Sequence, residues 1–420
     1  MNVRATSALA STTPGTSRRR CASRGAIDLV RAPRSIFRDR AWSWLLSILA
    51  TACTPSLAVT GPVDVAYDSN GEPRILVPRR RDPNDFATMS TPYDLDFASR
   101  SADGSWQFAS SPDAPGARPT IGHLAIATSG RDYFVAQGDR ALVMSTRTSG
   151  TAWVGVPPFS VPSAALETPN DSVDVSDIVN TGWIGSDGLA RFVVRQSLLE
   201  FDGENLVRAI PIPRDLSRTL SRQRNADVAP TGDRSAELTL FESIGGSQVR
   251  AHLGSMQCTE SDCIVTDRTS DDFIAIPGPR MIGNAATFHL VDGSPVQACT
   301  FVPFAGGHIV IEISSPGLER LLVSDAELVG AGPRPDGGFV VVTEPPEENG
   351  DPVLLFAIDA MGAERRIRVS ERTIGRYFSF GIAPGSNDVF DVFDASGNEF
   401  TRIRVDAGTG SISRERVVLQ

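Results

Sequence analysis

The chain contains no lysine: all 40 of its basic residues are arginine. The pattern points to a GC-rich coding sequence and carries no claim about thermostability. No apolar run reaches the ~20 residues that a membrane-spanning helix needs. The longest, residues 42–52, is already interrupted by Ser43, Ser47 and Thr51, which excludes a conventional transmembrane anchor. The four histidines, His123, His252, His289 and His308, stand alone, and none falls in an H-E-x-x-H spacing, so a zinc hydrolase of that kind has no ligand set. No G-x-S-x-G turn is present to expose a nucleophilic serine, and no glycine-rich loop cradles phosphate. Helical periodicity is also scarce.

What is present begins at the front. Arg31, Arg34, Arg38 and Arg40 precede the apolar run, and small residues, Ala50 and Ala52, close it. A positive flank, an apolar stretch of about 7–15 residues and small residues at the cut site make a secretory signal. The leader is long, and initiation at Val30 would leave a compact signal. The readings for this segment are a signal cut before Cys53 with acylation of that cysteine, a plain cleaved signal, and an uncleaved anchor or a signal of another kind. In the first, residues 1–52 are removed, residues 53–60 form a short linker and residues 61–420 form the folded domain.

Of the 40 arginines, 9 lie before Cys53 together with two aspartates, so the remainder carries 31 basic against 48 acidic residues, a net charge of −17. Such a surface repels phosphate backbones, and counterion release would oppose binding them, so nucleic acid is excluded as a partner. Cys258 and Cys263 flank the polar stretch "TESD". Opposed across a short hairpin, two cysteines come within disulfide range, and an exported chain meets an oxidising compartment. A disulfide is expected there, with thiols or half of a zinc site as alternatives. Cys299, in "VQACTFVPF", reads as a buried thiol.

Residues 61–420 read as short strands between turn clusters, as in "RFVVRQS", "HIVIEIS" and "GFVVVTE". Two stretches admit a short helix, "PRDLSRTLSRQR" (213–224) and "PGLERLLVSDAEL" (316–328). Two stretches also align without a gap: "LDFASRSADGSW" (95–106) and "LVMSTRTSGTAW" (142–153), with Trp106 matching Trp153. They read as a strand, a hairpin and an aromatic that packs back on the sheet. A polar turn followed by an apolar strand recurs at Gly71, Gly130 and Gly188, with fainter copies to the C-terminus, at spacings of 44 to 59 residues. About seven units of four strands predict an all-β fold, a β-propeller whose blades bury their faces by stacking. Six or eight blades, a β-sandwich pair and a β-solenoid are the alternatives.

Two resemblances follow from these motifs. Ala50-Thr51-Ala52-Cys53 resembles the lipobox of bacterial lipoproteins, with Ala50 where the family favours leucine. The resemblance implies lipid attachment at Cys53, a membrane contact made only through that anchor, and a place in the cell envelope, at the outer membrane or secreted. The strand "DSNGEPRILV" and the "LDFASRSADGSW" hairpin resemble the sialidase-type (BNR or Asp-box) propellers of exported bacterial proteins over residues 61 to about 206. Asp103 lies too close to Trp106 for the Asp-box pattern, and with four tyrosines in the chain a Tyr-Glu nucleophile pair has no placement. This second resemblance implies a fold and no site.

No cofactor is expected. Calcium has a candidate in "NDSVDVSD" (170–177) through Asn170, Asp171, Asp174 and Asp177, with echoes in "DSNGE" (68–72) and "DASGNEF" (394–400); hairpin turns demand the same residue types. "PRRRD" (78–82) reads as a solvated loop or an anion grip. The expectation is a non-catalytic envelope protein that binds a protein or glycan partner. The alternative is a carbohydrate-active hydrolase with a carboxylate pair in the propeller channel.

Overall fold

The computed structural model describes residues 58–59, 61–80, 94–109, 122–126, 130–137, 142–148, 153–155, 179–194, 197–212, 228–245, 248–267, 280–303, 309–315, 318–323, 325–346, 351–371 and 375–419, all inside the compact unit Pro55–Gln420. Every regular element among them is a strand. Seven antiparallel sheets succeed one another along the chain, blades 1 to 7, over residues 58–109, 122–155, 179–211, 228–267, 280–323, 327–371 and 377–418. Each is a meander whose strand order follows the sequence, with one added short strand in blade 1. The protein is a seven-bladed β-propeller.

Burial explains why these sequences make blades. In blade 6 the second strand, Phe339–Glu344, is buried from Phe339 to Thr343, because neighbouring blades cover both of its faces. Its fourth strand, Glu364–Glu371, buries only Ile367 and Val369. An uninterrupted apolar run therefore marks an inner strand and alternation marks an outer one. Six apolar clusters lie between consecutive blades. A lone four-stranded blade has no such partner, so stacking is what makes it stable.

The recurring glycines sit in the turn between first and second strands. Gly71, Gly130, Gly188, Gly293 and Gly337 have φ of 75°, 82°, 81°, 83° and 85°, a region open to glycine and costly to other residues. In the first of these turns the Asp68 carboxylate accepts hydrogen bonds from the backbone N–H groups of Asn70 (2.9 Å) and Glu72 (3.0 Å).

Two expectations need correction. Residues 318–323 form the fourth strand of blade 5, Leu318–Val323, and Glu327–Pro333 opens blade 6. A helix of this length is marginal alone, whereas pairing of Ile311 with Leu322 and Ile313 with Arg320 completes a sheet. Residues 213–224 lie outside the described residues. Ala58–Val59, read as linker, pairs with Arg80 and Arg79 in blade 1.

The matched tryptophans do more than cap their own hairpins. Trp153 of blade 2 meets Phe97 of blade 1 edge-on, with ring centroids 5.3 Å apart, and Trp106 of blade 1 meets Phe400 of blade 7 at 5.1 Å. Each reaches the third strand of the preceding blade. Blade 1 is built wholly from the N-terminal part of the domain and blade 7 wholly from the C-terminal part, so the ring closes without exchanging a strand. Closure rests on side chains and a few backbone contacts. Trp106 donates to Glu415 at 2.8 Å, the Ser379 hydroxyl donates to the Val63 carbonyl at 2.7 Å, and the Val59 N–H donates to the Gly397 carbonyl at 2.6 Å.

An antiparallel meander fixes two unlike ends. Turns between first and second strands and between third and fourth strands share one end, and these are short, as in Asp68–Glu72, Gly185–Leu189 and Asp359–Ala363. The links between second and third strands and between blades share the other. It carries the long connections, residues 81–93, 110–121, 156–178, 212–227 and 268–279.

Candidate functional site

A belt of buried polar side chains runs through the second strands beside the short turns. Arg74, Asp132, Arg191, Glu237, Gln297 and Asp391 occupy it in blades 1 to 5 and 7, and blade 6 has Val340 there. An unpaired charge in such a place costs several kcal/mol, so partners are obligatory. Asp132 of blade 2 takes Arg147 from its own third strand at 2.7 Å and Arg74 from blade 1. Arg334 of blade 6 grips Asp388 of blade 7 through Nε and Nη2 at 2.8 and 2.7 Å, the bidentate geometry that gives guanidinium–carboxylate pairs their strength.

The densest part of the belt centres on Glu200, in the third strand of blade 3 and fully buried. Register places Arg191 and Arg208 on either side of it. Its carboxylate accepts from Arg191 at 2.8 Å and Arg208 at 3.2 Å, and from Arg234 of blade 4 at 2.7 Å. Burial raises the Glu200 pKa, and the three guanidinium groups outweigh it and hold the carboxyl below the ordinary glutamate value. Gly185 is required here: a Cβ at that position would lie 1.9 Å from Nη1 of Arg191.

Arg191 turns its other edge to Asp187, at 2.8 and 2.6 Å. That hydrogen bonding lowers the Asp187 pKa from 3.8 to about 2. The folded value lies below the unfolded one, so the contribution is present above about pH 4 and is lost as the pH falls toward 2. Asp187→Asn is therefore expected to lower the thermal midpoint at neutral pH and to leave it close to that of the parent at pH 2. Melting curves across this range check it.

At the blade 7–1 seam the Tyr67 hydroxyl donates to Asp391 at 3.1 Å, and Arg402 donates to the same carboxylate oxygen at 2.7 Å. Burial, then the Asp391 charge, pushes the Tyr67 phenol well above its ordinary value. A phenol so placed stays protonated and serves as a donor, the opposite of what a nucleophile needs. The belt thus binds blade to blade, through Arg74 and Asp132, Arg234 and Glu200, Arg334 and Asp388, and Tyr67 and Asp391.

The residues singled out in the sequence are scattered. Cys258 and Cys263 are register partners across the third-to-fourth turn of blade 4, bonded through sulfur with Cα atoms 4.0 Å apart. They join the apolar cluster shared by blades 3, 4 and 5, as does the buried Cys299. Cys53, the acidic stretch 170–177 and His308 lie outside the described residues. His123, His252 and His289 fall in three different blades. In the calcium echo at 394–400, Asp394 pairs with Arg376 at 2.9 Å and Glu399 pairs with Arg416. No group of three or more metal-ligating side chains occurs among the described residues. Arg79 of "PRRRD" is held by Asp96. Sequence reading missed the belt, whose one local signal is a charged residue set inside an apolar strand, as in "ARFVV", "SLLEF" and "VFDVF".

No protein-family profile matches the sequence, and no curated protein sequence is significantly similar to it. Solved structures align with the chain at low identity. Virginiamycin B lyase from Staphylococcus aureus is 10% identical over 80% of this chain and 92% of its own, with a TM-score of 0.47. The propeller domain of the Trilobed protease from Pyrococcus furiosus is 9% identical over 84% and 97%, with a TM-score of 0.46. The microbial sialidase Hz136 is 11% identical over 69% and 63%, with a TM-score of 0.40. These are weak likenesses at low identity, and none is specific to the Asp-box type.

Proposed function

We propose that this chain is an exported bacterial envelope protein, anchored by lipid at Cys53, whose propeller binds a protein or glycan partner without catalysing a reaction. The signal-like run and Ala50-Thr51-Ala52-Cys53 support the anchor. The observation that carries the non-catalytic reading is the state of the buried acids: Asp132, Glu200, Asp391 and Asp394 are each hydrogen-bonded to arginine. General acid–base work needs a carboxyl whose proton can leave and return near the operating pH, whereas arginine donors occupy these carboxylates and hold Glu200 below the ordinary glutamate value. Loops on a rigid ring are a common seat of recognition and need no fixed motif.

The second reading is a carbohydrate hydrolase with two carboxylates about 5–9.5 Å apart. Its support is in the sequence alone, where Asp171, Asp174 and Asp177 stand close together between blades 2 and 3. Titration of the purified protein with envelope polysaccharides, read by calorimetry and by release of reducing ends, separates the two. Saturable binding with no release supports the binding protein; release that disappears on replacing those aspartates by asparagine establishes the hydrolase.

A further inference from the structure

We infer that the propeller is held with its long-connection end against the lipid bilayer and its short-turn end facing away. The inference rests on acylation at Cys53 and adds an orientation to it. The first described residue after Cys53 is Ala58, paired with Arg80 at the last residue of the second strand of blade 1, Pro73–Arg80. That strand runs from the short turn at Asp68–Glu72 to the connection 81–93, so Ala58 enters the ring at the long-connection end. The backbone bond from Val59 to Gly397, in the second-to-third turn of blade 7, marks the same end.

Covalent geometry then decides between orientations. Five residue steps separate Cys53 from Ala58, and a fully extended chain covers about 18 Å in five steps. Along blade 1, Ala58 opposite Arg80 and Tyr67 opposite Pro73 are separated by seven register steps of the second strand, a depth of about 23 Å at a rise of 3.3 Å. A propeller resting on its short turns would lift Ala58 farther from the lipid than the tether reaches. The opposite orientation needs no extension at all.

Energy transfer to a labelled membrane tests the orientation in the intact acylated protein. Asn398, exposed in the second-to-third turn of blade 7, and Met361, 91% exposed in a third-to-fourth turn of blade 6, sit at opposite ends. Asn398→Cys and Met361→Cys, each carrying a donor dye, are placed in liposomes with an acceptor lipid in the outer leaflet. Cys258 and Cys263 are bonded and Cys299 is buried, so the added thiol takes the label. A strand depth of ~23 Å predicts transfer from Asn398 about twofold or more above that from Met361. Equal transfer, or stronger transfer from Met361, overturns the orientation while leaving the anchor intact. Intact mass of the same sample reads the anchor separately: a Cys53 without lipid overturns both.

Discussion

Phe400→Ala is expected to destabilise the protein by about 3–5 kcal/mol, the range for emptying a buried phenylalanine site. Phe400 is fully buried in the third strand of blade 7, between Phe393 of its own blade and Trp106 of blade 1. It belongs to the apolar cluster that joins the two ends of the domain, with Ile75, Val77 and Ala98 on one side and Val417 and Leu419 on the other. Because no strand crosses this seam, side-chain packing there carries what backbone hydrogen bonds carry inside a blade. The loss is therefore expected to be local first. Hydrogen exchange in Phe400→Ala should quicken across residues 94–109 and 389–418 before it quickens in blade 4. Uniform loss of protection around the ring would show that the seam is no weaker than the other interfaces.

Glu200→Gln should cost a comparable amount, about 3–5 kcal/mol, because removing one member of a buried ionic cluster strands its partners. Arg191 is fully buried and keeps only Asp187, while Arg208 and Arg234 also reach Glu260 at 3.2 and 3.8 Å. Glu260 is 70% exposed, so Glu260→Gln is expected to change stability by no more than about 0.5 kcal/mol. For a domain of this size the first change corresponds to a fall of roughly 4–6 °C in thermal midpoint and the second to less than about 1 °C. Equal effects would mean that Glu200 is solvated in the folded protein and that the belt is not a blade-to-blade lock.

Different parts of this architecture are legible in the sequence to different degrees. Turn glycines at Gly71, Gly130 and Gly188 expose the repeat, since left-handed backbone after a polar turn leaves few other choices. The gapless match ending at Trp106 and Trp153 exposes a shared hairpin, but not that each indole packs on the preceding blade, because Phe97 and Phe400 carry no mark of that role. "PGLERLLVSDAEL" misleads because Leu318, Leu321 and Leu322 fit a helical face as well as a strand, and only pairing with Val310–Ser315 decides between them. The Glu200 cluster is out of reach for another reason. Its arginines lie at 191, 208 and 234, and nothing short of the strand register brings them to one carboxylate. Function is the least legible: a propeller presents its partner-binding residues on loops that follow no periodic rule.

The anchor on which the functional reading and the orientation both stand is tested most directly by intact-mass analysis of the protein extracted from native membranes. The expected species begins at Cys53 and carries the mass of its acyl chains. A water-soluble species that retains residues 1–40 would contradict the reading.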